Sequence, residues 1–278
     1  MQKELRAKRT KHHKAFFVSG FLLMGLLAGS LYLLWNSYRP AALLRQGIRL
    51  EQQHDLVNAT DRYEQLIEHY ASSKEAPDAL YRRGRILQHD LADDQLALYY
   101  YLRLEKEYPQ SVYVSLAQQA AAELFKYRLD NCGQAISIYQ RLIEESKADA
   151  DSFQYEIADC YARQKNWTQA GIEFESLLGS FPESDLTAIS SYRLADSWLL
   201  SNQREKARNG FKQIVTTYPQ NKIVHEARFR LAEMLEEEEH LKEALKAYSA
   251  LTGYPRQDLL KQKIIRLKER IARKEKVL

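Results

Sequence analysis

Cysteine, proline and glycine are all scarce in this chain: 2 Cys, 6 Pro and 10 Gly stand among its 278 residues. Two cysteines are too few for a disulfide framework or for a zinc site of their own. So little proline and glycine excludes a turn-rich all-β chain, and the aromatic content of 11% argues against general disorder. The composition therefore favours a folded chain of one or two domains.

Motifs of catalysis and metal binding are missing as well. The sequence contains no His-Glu-x-x-His, no Gly-x-Ser-x-Gly and no phosphate-binding loop, and its seven histidines lack the spacing of metal ligands. We therefore predict no enzyme activity, no catalytic residue, no cofactor and no metal site. Cys132 and Cys160 could pair in an oxidising compartment or serve as small buried apolar residues, and the sequence leaves both interpretations open.

The net charge of +4 is distributed unevenly along the chain. Residues 1–14 hold six basic residues and one acid, and residues 256–278 hold nine basic residues and three acids. The body between the two, residues 36–255, is acidic, with a net charge of −7. This distribution excludes a uniformly basic nucleic-acid binder, and we predict no nucleic-acid partner.

One long hydrophobic run follows the basic tail of residues 1–14. Residues 15–35 contain no charge, and as a helix they would span roughly 31 Å, about the thickness of the hydrocarbon core of a bilayer. The run is longer than the apolar region of a cleaved signal peptide, which has about 7–15 residues. We therefore predict an uncleaved transmembrane anchor over 15–35.

The charges around this run predict its orientation. Six Lys and Arg precede it and only Arg39 follows shortly after, which places the amino-terminal tail in the cytoplasm. Residues 36–278 would then lie in the periplasm of a bacterium, held at the inner membrane by a single span. Gly25 and Gly29 have the spacing that lets two spans approach closely and form a homodimer, although glycine is also simply common in such spans.

The rest of the chain repeats with steps of 38, 38, 35, 37 and 37 residues. These are the distances between six alanines that are each followed four residues later by an aromatic residue. The six pairs are Ala59/Tyr63, Ala97/Tyr101, Ala135/Tyr139, Ala170/Phe174, Ala207/Phe211 and Ala244/Tyr248. A proline stands twelve residues after three of these signature alanines, at Pro109, Pro182 and Pro219, and Pro255 is off by one.

Each repeat also begins in a similar way. A small residue lies twelve residues before the signature alanine, with a large apolar or aromatic residue three positions further on, as at Ala195 and Trp198. In the second and third copies the small residue comes one position earlier, at Gly84 and Ala122, which predicts one extra residue in the following turn. Because spacings of three and four keep side chains on one helix face, and because proline ends a helix, each repeat is predicted to be a helical hairpin.

This pattern of a small residue, an aromatic residue, Ala, an aromatic residue and Pro resembles the tetratricopeptide repeat family over residues 41–256. With the anchor, the resemblance implies an all-α chain: one transmembrane helix over 15–35, an α-solenoid of about six hairpins over 41–256 and a capping helix over 257–278. The Tyr-Pro-x-Ser sequence at 108–111 is similar to the bacterial envelope branch of the family. That branch includes the outer-membrane assembly lipoprotein, the Tol–Pal-associated coordinator and single-span translocon-associated proteins.

The last segment carries apolar residues at helical spacing. They are Leu259, Leu260, Ile264, Ile265, Leu267 and Ile271. Because repeat stacks need a terminal unit with a polar outer face, we predict a basic amphipathic capping helix over 257–278. Binding to a membrane surface or to an acidic partner is the alternative role for its basic residues.

First helices line the concave face of such a solenoid, and that face accepts extended peptides or partner helices. An aromatic residue followed four positions later by an acid recurs there in three consecutive repeats, and the second copy offers Arg82. The candidate partner-binding residues are therefore Tyr155, Asp159, Tyr192, Asp196, Phe229, Glu233 and Arg82. We predict a groove for an extended, basic or unfolded peptide; alternatively, the rings pack between repeats and the acids are merely solvated.

Together these features predict a membrane-anchored, non-catalytic scaffold. It would recruit other proteins or exported peptides at the periplasmic face of the inner membrane for envelope biogenesis. The alternative is a regulator that binds and activates a single cell-wall enzyme or protease. The two functions differ in the partner, which is unfolded exported chains in the first and one folded enzyme in the second.

Overall fold

The computed structural model describes residue 35, residues 37–145 and residues 147–277. All regular secondary structure in these ranges is α-helical, as the sequence predicts. The helices fall into two compact units, one up to Ala120 and one from Ala121 onward, so that the division lies within helix α5 (Val114–Tyr127).

The first unit is built from short antiparallel helices. The described helical residues 37–52 form α1, and three more helices precede α5. They are α2 (Leu56–His69), α3 (Ala76–His89) and α4 (Asp94–Glu107). Helix α3 packs against both α2 and α4, so each helix covers the apolar face of the next.

The second unit continues in the same way, each helix from α6 to α12 packing against the helix that follows it. Its helices after α5 are α6 (Cys132–Glu145), α7 (Ala150–Arg163), α8 (Trp167–Ser180), α9 (Thr187–Leu200), α10 (Arg204–Thr217), α11 (Ile223–Glu237), α12 (Leu241–Ser249) and α13 (Gln257–Val277). In each repeat the odd-numbered helix is the first helix and the even-numbered helix is the second.

The turn between the two helices of every repeat contains one non-glycine residue in the left-handed region. These six residues are His54, Ala92, Asp130, Lys165, Asn202 and Glu239, with φ between 48° and 64°. Each lies five positions before a signature alanine, so the six turns recur with the same steps as the alanines. A left-handed residue after a helix lets the next amide bond back to the helix, which satisfies a terminal carbonyl group.

That returning hydrogen bond confirms the extra residue predicted in two of the turns. The Asn166 amide donates to the Tyr161 carbonyl at 2.9 Å, a return of five residues, and the fifth repeat has the same spacing. In the second repeat the Asp93 amide reaches back six residues to the Leu87 carbonyl at 2.9 Å. The corresponding hydrogen bond of the third repeat also spans six residues. The turn therefore contains the extra residue, and the two helices keep their register.

The signature residues form the interior of each hairpin, and all six signature alanines are buried. Where the small position of the first helix is glycine, the ring of the second helix lies directly on its backbone. At Gly84 an added Cβ would stand 2.6 Å from Cε1 of Tyr101. The tight approach of two helices is therefore the physical reason for the small-residue signature.

Helix α13 closes the second unit against α11 and α12. Its residues Leu260 and Leu267 are buried in one cluster with Phe229 and Tyr248. Ile265 differs from the prediction: it is 56% exposed and lies outside this packed side. On a helix with 3.6 residues per turn, Ile265 lies on the side opposite Leu260 and Leu267. The prediction listed the apolar residues of this segment without separating the two sides.

None of the helices in the described ranges is long and apolar enough to cross a bilayer. The predicted anchor over 15–35 lies outside those ranges except for Trp35, which is exposed and has the Arg39 guanidinium 5.0 Å from its ring centre. The basic tail 1–14 and the pair Gly25 and Gly29 lie outside them as well.

Candidate functional site

The predicted aromatic residues lie on the first helices α7, α9 and α11, and each packs on the signature ring of its own hairpin. The ring centres are separated by 5.6 Å for Tyr155–Phe174, 5.7 Å for Tyr192–Phe211 and 5.3 Å for Phe229–Tyr248. Phe229 is buried and also stacks on Tyr254 at 4.7 Å, whereas Tyr155 and Tyr192 are half-buried. The rings thus pack within repeats, and two of them keep an accessible edge.

The predicted acids are joined to basic residues of the next first helix. Asp159 of α7 is paired with Arg193 of α9, and Asp196 of α9 lies 3.0 Å from the Arg230 guanidinium of α11. In the same way, Glu233 of α11 lies 3.4 Å from Lys263 of α13. The acids are therefore not simply solvated: they form a ladder of ion pairs that links α7, α9, α11 and α13.

One buried oxygen atom and one buried nitrogen atom of this ladder lack a hydrogen bond. Asp196 Oδ1 and Arg193 Nε are buried and have no aligned hydrogen bond, although both side chains are ion-paired. Arg230 also donates from Nε to the Tyr192 hydroxyl at 3.3 Å. Burial alone would lower the pKa of Arg230, but Asp196 and Tyr192 outweigh it and raise that pKa.

The ladder begins at a buried lysine that sequence reasoning did not single out. The Lys126 side chain is fully buried, and its ammonium lies 2.5 Å from Glu156 and 2.7 Å from Asp159. Burial would raise the pKa of Asp159, but the hydrogen bond and charge of Lys126, together with Arg193, lower it instead. Because a charge in the interior is stable only when it is paired, Lys126 and the two carboxylates depend on one another.

The structure places Arg82 in a different register of its first helix from the other predicted groove residues, and partner binding at Arg82 stays a prediction. With the extra residue of the second repeat taken into account, the equivalent of Tyr155 is Tyr81, whose ring centre lies 6.2 Å from that of Tyr101. The equivalent of Asp159 is Arg85, and Arg82 occupies the position of Arg193 and Arg230, two residues before the small residue. That basic position recurs in four repeats, because Arg45 likewise stands two residues before Gly47. This recurrence is the signal by which the sequence could have revealed it.

The first unit has an ion-pair centre of its own at Glu51 of α1. Glu51 lies 3.1 Å from Arg82 and 3.0 Å from Arg85, both of α3. It also accepts a hydrogen bond of 2.9 Å from the Tyr63 hydroxyl. Arg82 is held in addition by Asp78 at 2.8 Å. Pairing between consecutive first helices is thus common to both units, although the residues differ.

The two cysteines are free thiols and both are buried. Burial, followed by a hydrogen bond with Cys132, raises the pKa of the Cys160 thiol. Within the described part of the chain, no group of three or more His, Cys, Asp or Glu residues is placed to hold a metal ion.

We call the surface formed by Tyr155, Asp159, Tyr192, Asp196, Phe229 and Glu233 the first-helix face. Its acids are compensated by Lys126, Arg193, Arg230 and Lys263, so the face is close to neutral rather than acidic. What it presents to solvent is the edges of two tyrosine rings between ion pairs. Whether a partner binds there stays a prediction.

The comparisons with known proteins concern the repeats. Models of the tetratricopeptide repeat match residues 78–111, 126–185 and 190–221. No curated protein is significantly similar to the chain in sequence.

Three solved structures illustrate the similarity in fold. A tetratricopeptide repeat protein from Parabacteroides merdae is 14% identical, with a TM-score of 0.55, and the match covers 83% of this chain and 99% of that one. PilW, described as a widely conserved type IV pilus biogenesis factor, is 15% identical, with a TM-score of 0.50, and the match covers 76% of this chain and 92% of PilW. YrrB, described as having an unusual peptide-binding site, is 16% identical, with a TM-score of 0.50, and the match covers 64% of this chain and 86% of YrrB.

At these identities the likeness shows the fold alone, and it agrees with the family models and with the repeated hairpins. The part of the chain that the family models match, residues 78–111, 126–185 and 190–221, belongs to the tetratricopeptide repeat family.

Proposed function

We propose that this chain is a non-catalytic scaffold that holds other proteins or extended peptides on its first-helix face. One observation carries the proposal. A half-buried tyrosine followed one turn later by an ion-paired aspartate occurs at the same position of two consecutive first helices, α7 and α9. A surface that repeats its chemistry at regular intervals suits a partner that is itself repetitive, such as an extended peptide backbone.

The ion pairs change the kind of peptide that we expect. A basic peptide would have to displace Arg193 or Arg230 from their carboxylates, which costs free energy because these pairs are partly desolvated. Tyrosine rings, by contrast, contribute contact area at a low cost in conformational entropy. We therefore favour a partner segment with aromatic or apolar side chains over the basic segment expected from the sequence.

We further propose that residues 15–35 anchor the chain in the inner membrane, with residues 36–278 on the periplasmic side. The uncharged length of this run and the six basic residues before it support the proposal. A role in envelope biogenesis would then follow from the location. The published descriptions of PilW as a pilus biogenesis factor and of YrrB as a peptide-binding protein are compatible with it.

Site-specific photo-crosslinking in cells tests the binding face. Replacing the acids by lysine would break the ion pairs that hold the helices together, so a probe at an exposed neighbouring position is the cleaner experiment. Ser152 is exposed on α7 and, at three residues from Tyr155, lies on the same helix side. Glu175, exposed on the second helix α8, is the matched control.

We expect a probe at Ser152 to capture partner chains and a probe at Glu175 to capture none. The Tyr155→Leu variant removes one half-buried ring and keeps an apolar side chain against Phe174, so weaker capture by it at an unchanged unfolding temperature would identify the face. Equal capture at both probe positions would contradict the proposal. Capture of one folded enzyme alone would favour the regulator described above.

The proposed topology is tested separately. We expect alkaline phosphatase, which becomes active only outside the cytoplasm, to be active when fused after Leu278. We expect externally added protease to digest residues 36–278 in spheroplasts but not in intact cells. An inactive fusion protein together with protection in spheroplasts would contradict the topology while leaving the binding face untested by this experiment.

A further inference from the structure

The carboxyl-terminal helix α13 carries its basic residues in two different surroundings. Those on one side are paired with acids of α11 and of the turn that follows it. The ammonium group of Lys274 lies 2.5 Å from Glu239, and that of Lys263 lies 3.1 Å from Glu236. Arg270 is paired with Glu239, and Arg256, just before the helix, lies 2.8 Å from Glu226. These pairs dock α13 on its unit.

The basic residues on the other side are not used by the fold. They are Lys261, Arg266, Lys268 and Arg273. All four are exposed, and none forms an ion pair or a hydrogen bond with any residue that the structure describes. Two exposed acids of α13, Asp258 and Glu269, also lack an ion pair among the described residues, whereas Glu275 is paired with Lys242 at 2.8 Å. Because the acids of α11 pair, within α13, only with basic residues on its inner side, the outer side keeps an excess of positive charge.

The four residues occupy a broad arc on the outer side of α13. The buried residues Leu260 and Leu267 mark the inner side of α13, and Ile265 lies near the middle of the outer side. At about 100° per residue, Lys261 and Lys268 fall on one flank of Ile265, and Arg266 and Arg273 fall on the other. Along the helix axis they extend over roughly 18 Å.

We propose that this outer side of α13 binds the surface of an anionic bilayer through the phosphate groups of its lipids. A partner helix lying alongside α13 would contact one flank and leave the other in water. A plane of negative charge, by contrast, is within reach of all four long side chains at once, because their aliphatic stems let the charged ends extend outward. Charge complementarity and this two-sided arrangement favour a membrane surface over an acidic protein.

The binding is electrostatic and does not include insertion of the helix. The apolar side of α13 is occupied by the core of its unit, and Ile265 is the one large apolar residue exposed among the described residues of α13. An interfacial helix that inserts into lipid needs a free apolar face. The contact should therefore weaken steeply with salt, since exposed charges are screened within about 10 Å at 0.1 M ionic strength. This inference concerns α13 alone and does not depend on the proposed peptide site; the proposed anchor serves only to hold the full chain in the nanodiscs of the test.

Binding of the full chain to vesicles in trans tests the proposal. The chain is held in phosphatidylcholine nanodiscs and mixed with vesicles of phosphatidylcholine alone or with phosphatidylglycerol added, and co-sedimentation is measured. We expect binding to the phosphatidylglycerol vesicles only. Neutralising a basic residue should weaken it roughly fivefold, so Lys261→Gln/Lys268→Gln should weaken it about 25-fold. Because these exposed side chains form no ion pair or hydrogen bond with the described residues, the variant should unfold at the same temperature as the unmodified chain.

The matched control removes two other exposed lysines of the same unit, in the Lys206→Gln/Lys212→Gln variant of α10. It should bind like the unmodified chain. Equal binding to both kinds of vesicle, or an equal loss in the control variant, would overturn the proposal. Binding to polyglutamate or to a DNA duplex without binding to anionic vesicles would also overturn it, and would identify an acidic polypeptide or a nucleic acid as the ligand.

Discussion

The ammonium group of Lys126 lies 2.7 Å from the carboxylate of Asp159, and the lysine side chain is fully buried. The two residues belong to consecutive first helices, α5 and α7, and are 33 positions apart in the sequence. Asp159 passes the connection on to Arg193 of α9, so one carboxylate serves two neighbouring helices. The packing of aromatic and small residues holds each hairpin together, and ion pairs of this kind connect one hairpin with the next.

Removing the buried lysine should destabilise the protein strongly. We expect Lys126→Met to lower the free energy of unfolding by about 2–3 kcal/mol, because Glu156 and Asp159 lose their buried counter-charge. The value lies at the low end for a broken buried pair, since the two carboxylates keep 28% and 17% exposure. Urea unfolding measures the change. Lys212→Met, at an exposed position of α10, should change the stability by less than about 0.5 kcal/mol. Equal effects of the two substitutions would refute the role of Lys126.

Acid should weaken the same contact. Burial would raise the pKa of Asp159, but Lys126 and Arg193 lower it, so the folded state binds its proton less readily than the unfolded state. This contribution to stability is present above the unfolded pKa of about 3.9 and is lost as the pH falls through the lower folded pKa. Urea unfolding between neutral pH and pH of about 3 should therefore show a smaller loss of stability for Asp159→Asn than for the unmodified chain. Parallel curves would contradict the assignment.

Gly84 should not tolerate a methyl group. Its Cβ would stand 2.6 Å from Cε1 of Tyr101, and overpacking of this kind costs roughly 1–3 kcal/mol, more than the gain in helix propensity of about 1 kcal/mol. Gly171 in α8 is the control, because its Cβ would meet Leu194 and Ser197 at an ordinary 3.8 Å. Thermal unfolding should show Gly84→Ala to be destabilising, and Gly171→Ala to be stabilising by roughly 0.5–1 kcal/mol. A more stable Gly84→Ala variant would rule out the tight contact.

A glycine should improve one of the turns. Ala92 has a φ of 54°, a conformation that costs an L-residue about 1–2 kcal/mol and glycine little. After the greater entropy of an unfolded glycine is deducted, we expect Ala92→Gly to stabilise the chain by about 0.5–1 kcal/mol. The same substitution at Ala272, exposed in α13, should destabilise it by about 1 kcal/mol. Denaturant midpoints that shift in the same direction for both variants would contradict this account.

The two thiols should be unreactive until the chain unfolds. Both Cys132 and Cys160 are buried, and burial raises the pKa of Cys160, so the reactive thiolate is scarce. We expect a chromogenic disulfide reagent to detect no thiol in the native protein and two in urea. Rapid labelling of the native protein, with unchanged helical circular dichroism, would show that the thiols are accessible.

Much of the fold follows from local patterns. The spacing between Ala170 and Phe174 is enough to predict a second helix, because residues four positions apart share one helix face. Likewise, the early position of Gly84 predicts an extra residue in the turn, which the hydrogen bond from Asp93 to Leu87 confirms. The left-handed residues could not be inferred from composition, since three of the six, Ala92, Lys165 and Glu239, are not of a type that favours this conformation.

The candidate site could be predicted from sequence patterns only in part. The recurrence of Tyr155 and Tyr192 identified which residues share a helix side, but it could not show that Asp159 and Asp196 are already paired. Those pairs depend on how closely one first helix approaches the next, a distance that the packing of whole hairpins determines. The register of Arg82 was misassigned because the count back from Ala97 crosses a turn with one extra residue, and a shift of one residue corresponds to about 100° around the first helix.

Local spacing in the sequence is enough to predict six hairpins, the residues of their interior and the helix that ends the second unit, because these properties depend on neighbours three, four or twelve positions away. The three-dimensional packing was needed to show that the acids of the first-helix face are neutralised and that the outer charges of α13 are not. Both outcomes rest on ion pairs between residues about 30 positions apart, such as Glu233 and Lys263. No local pattern specifies these partners, because they meet only when consecutive first helices lie side by side.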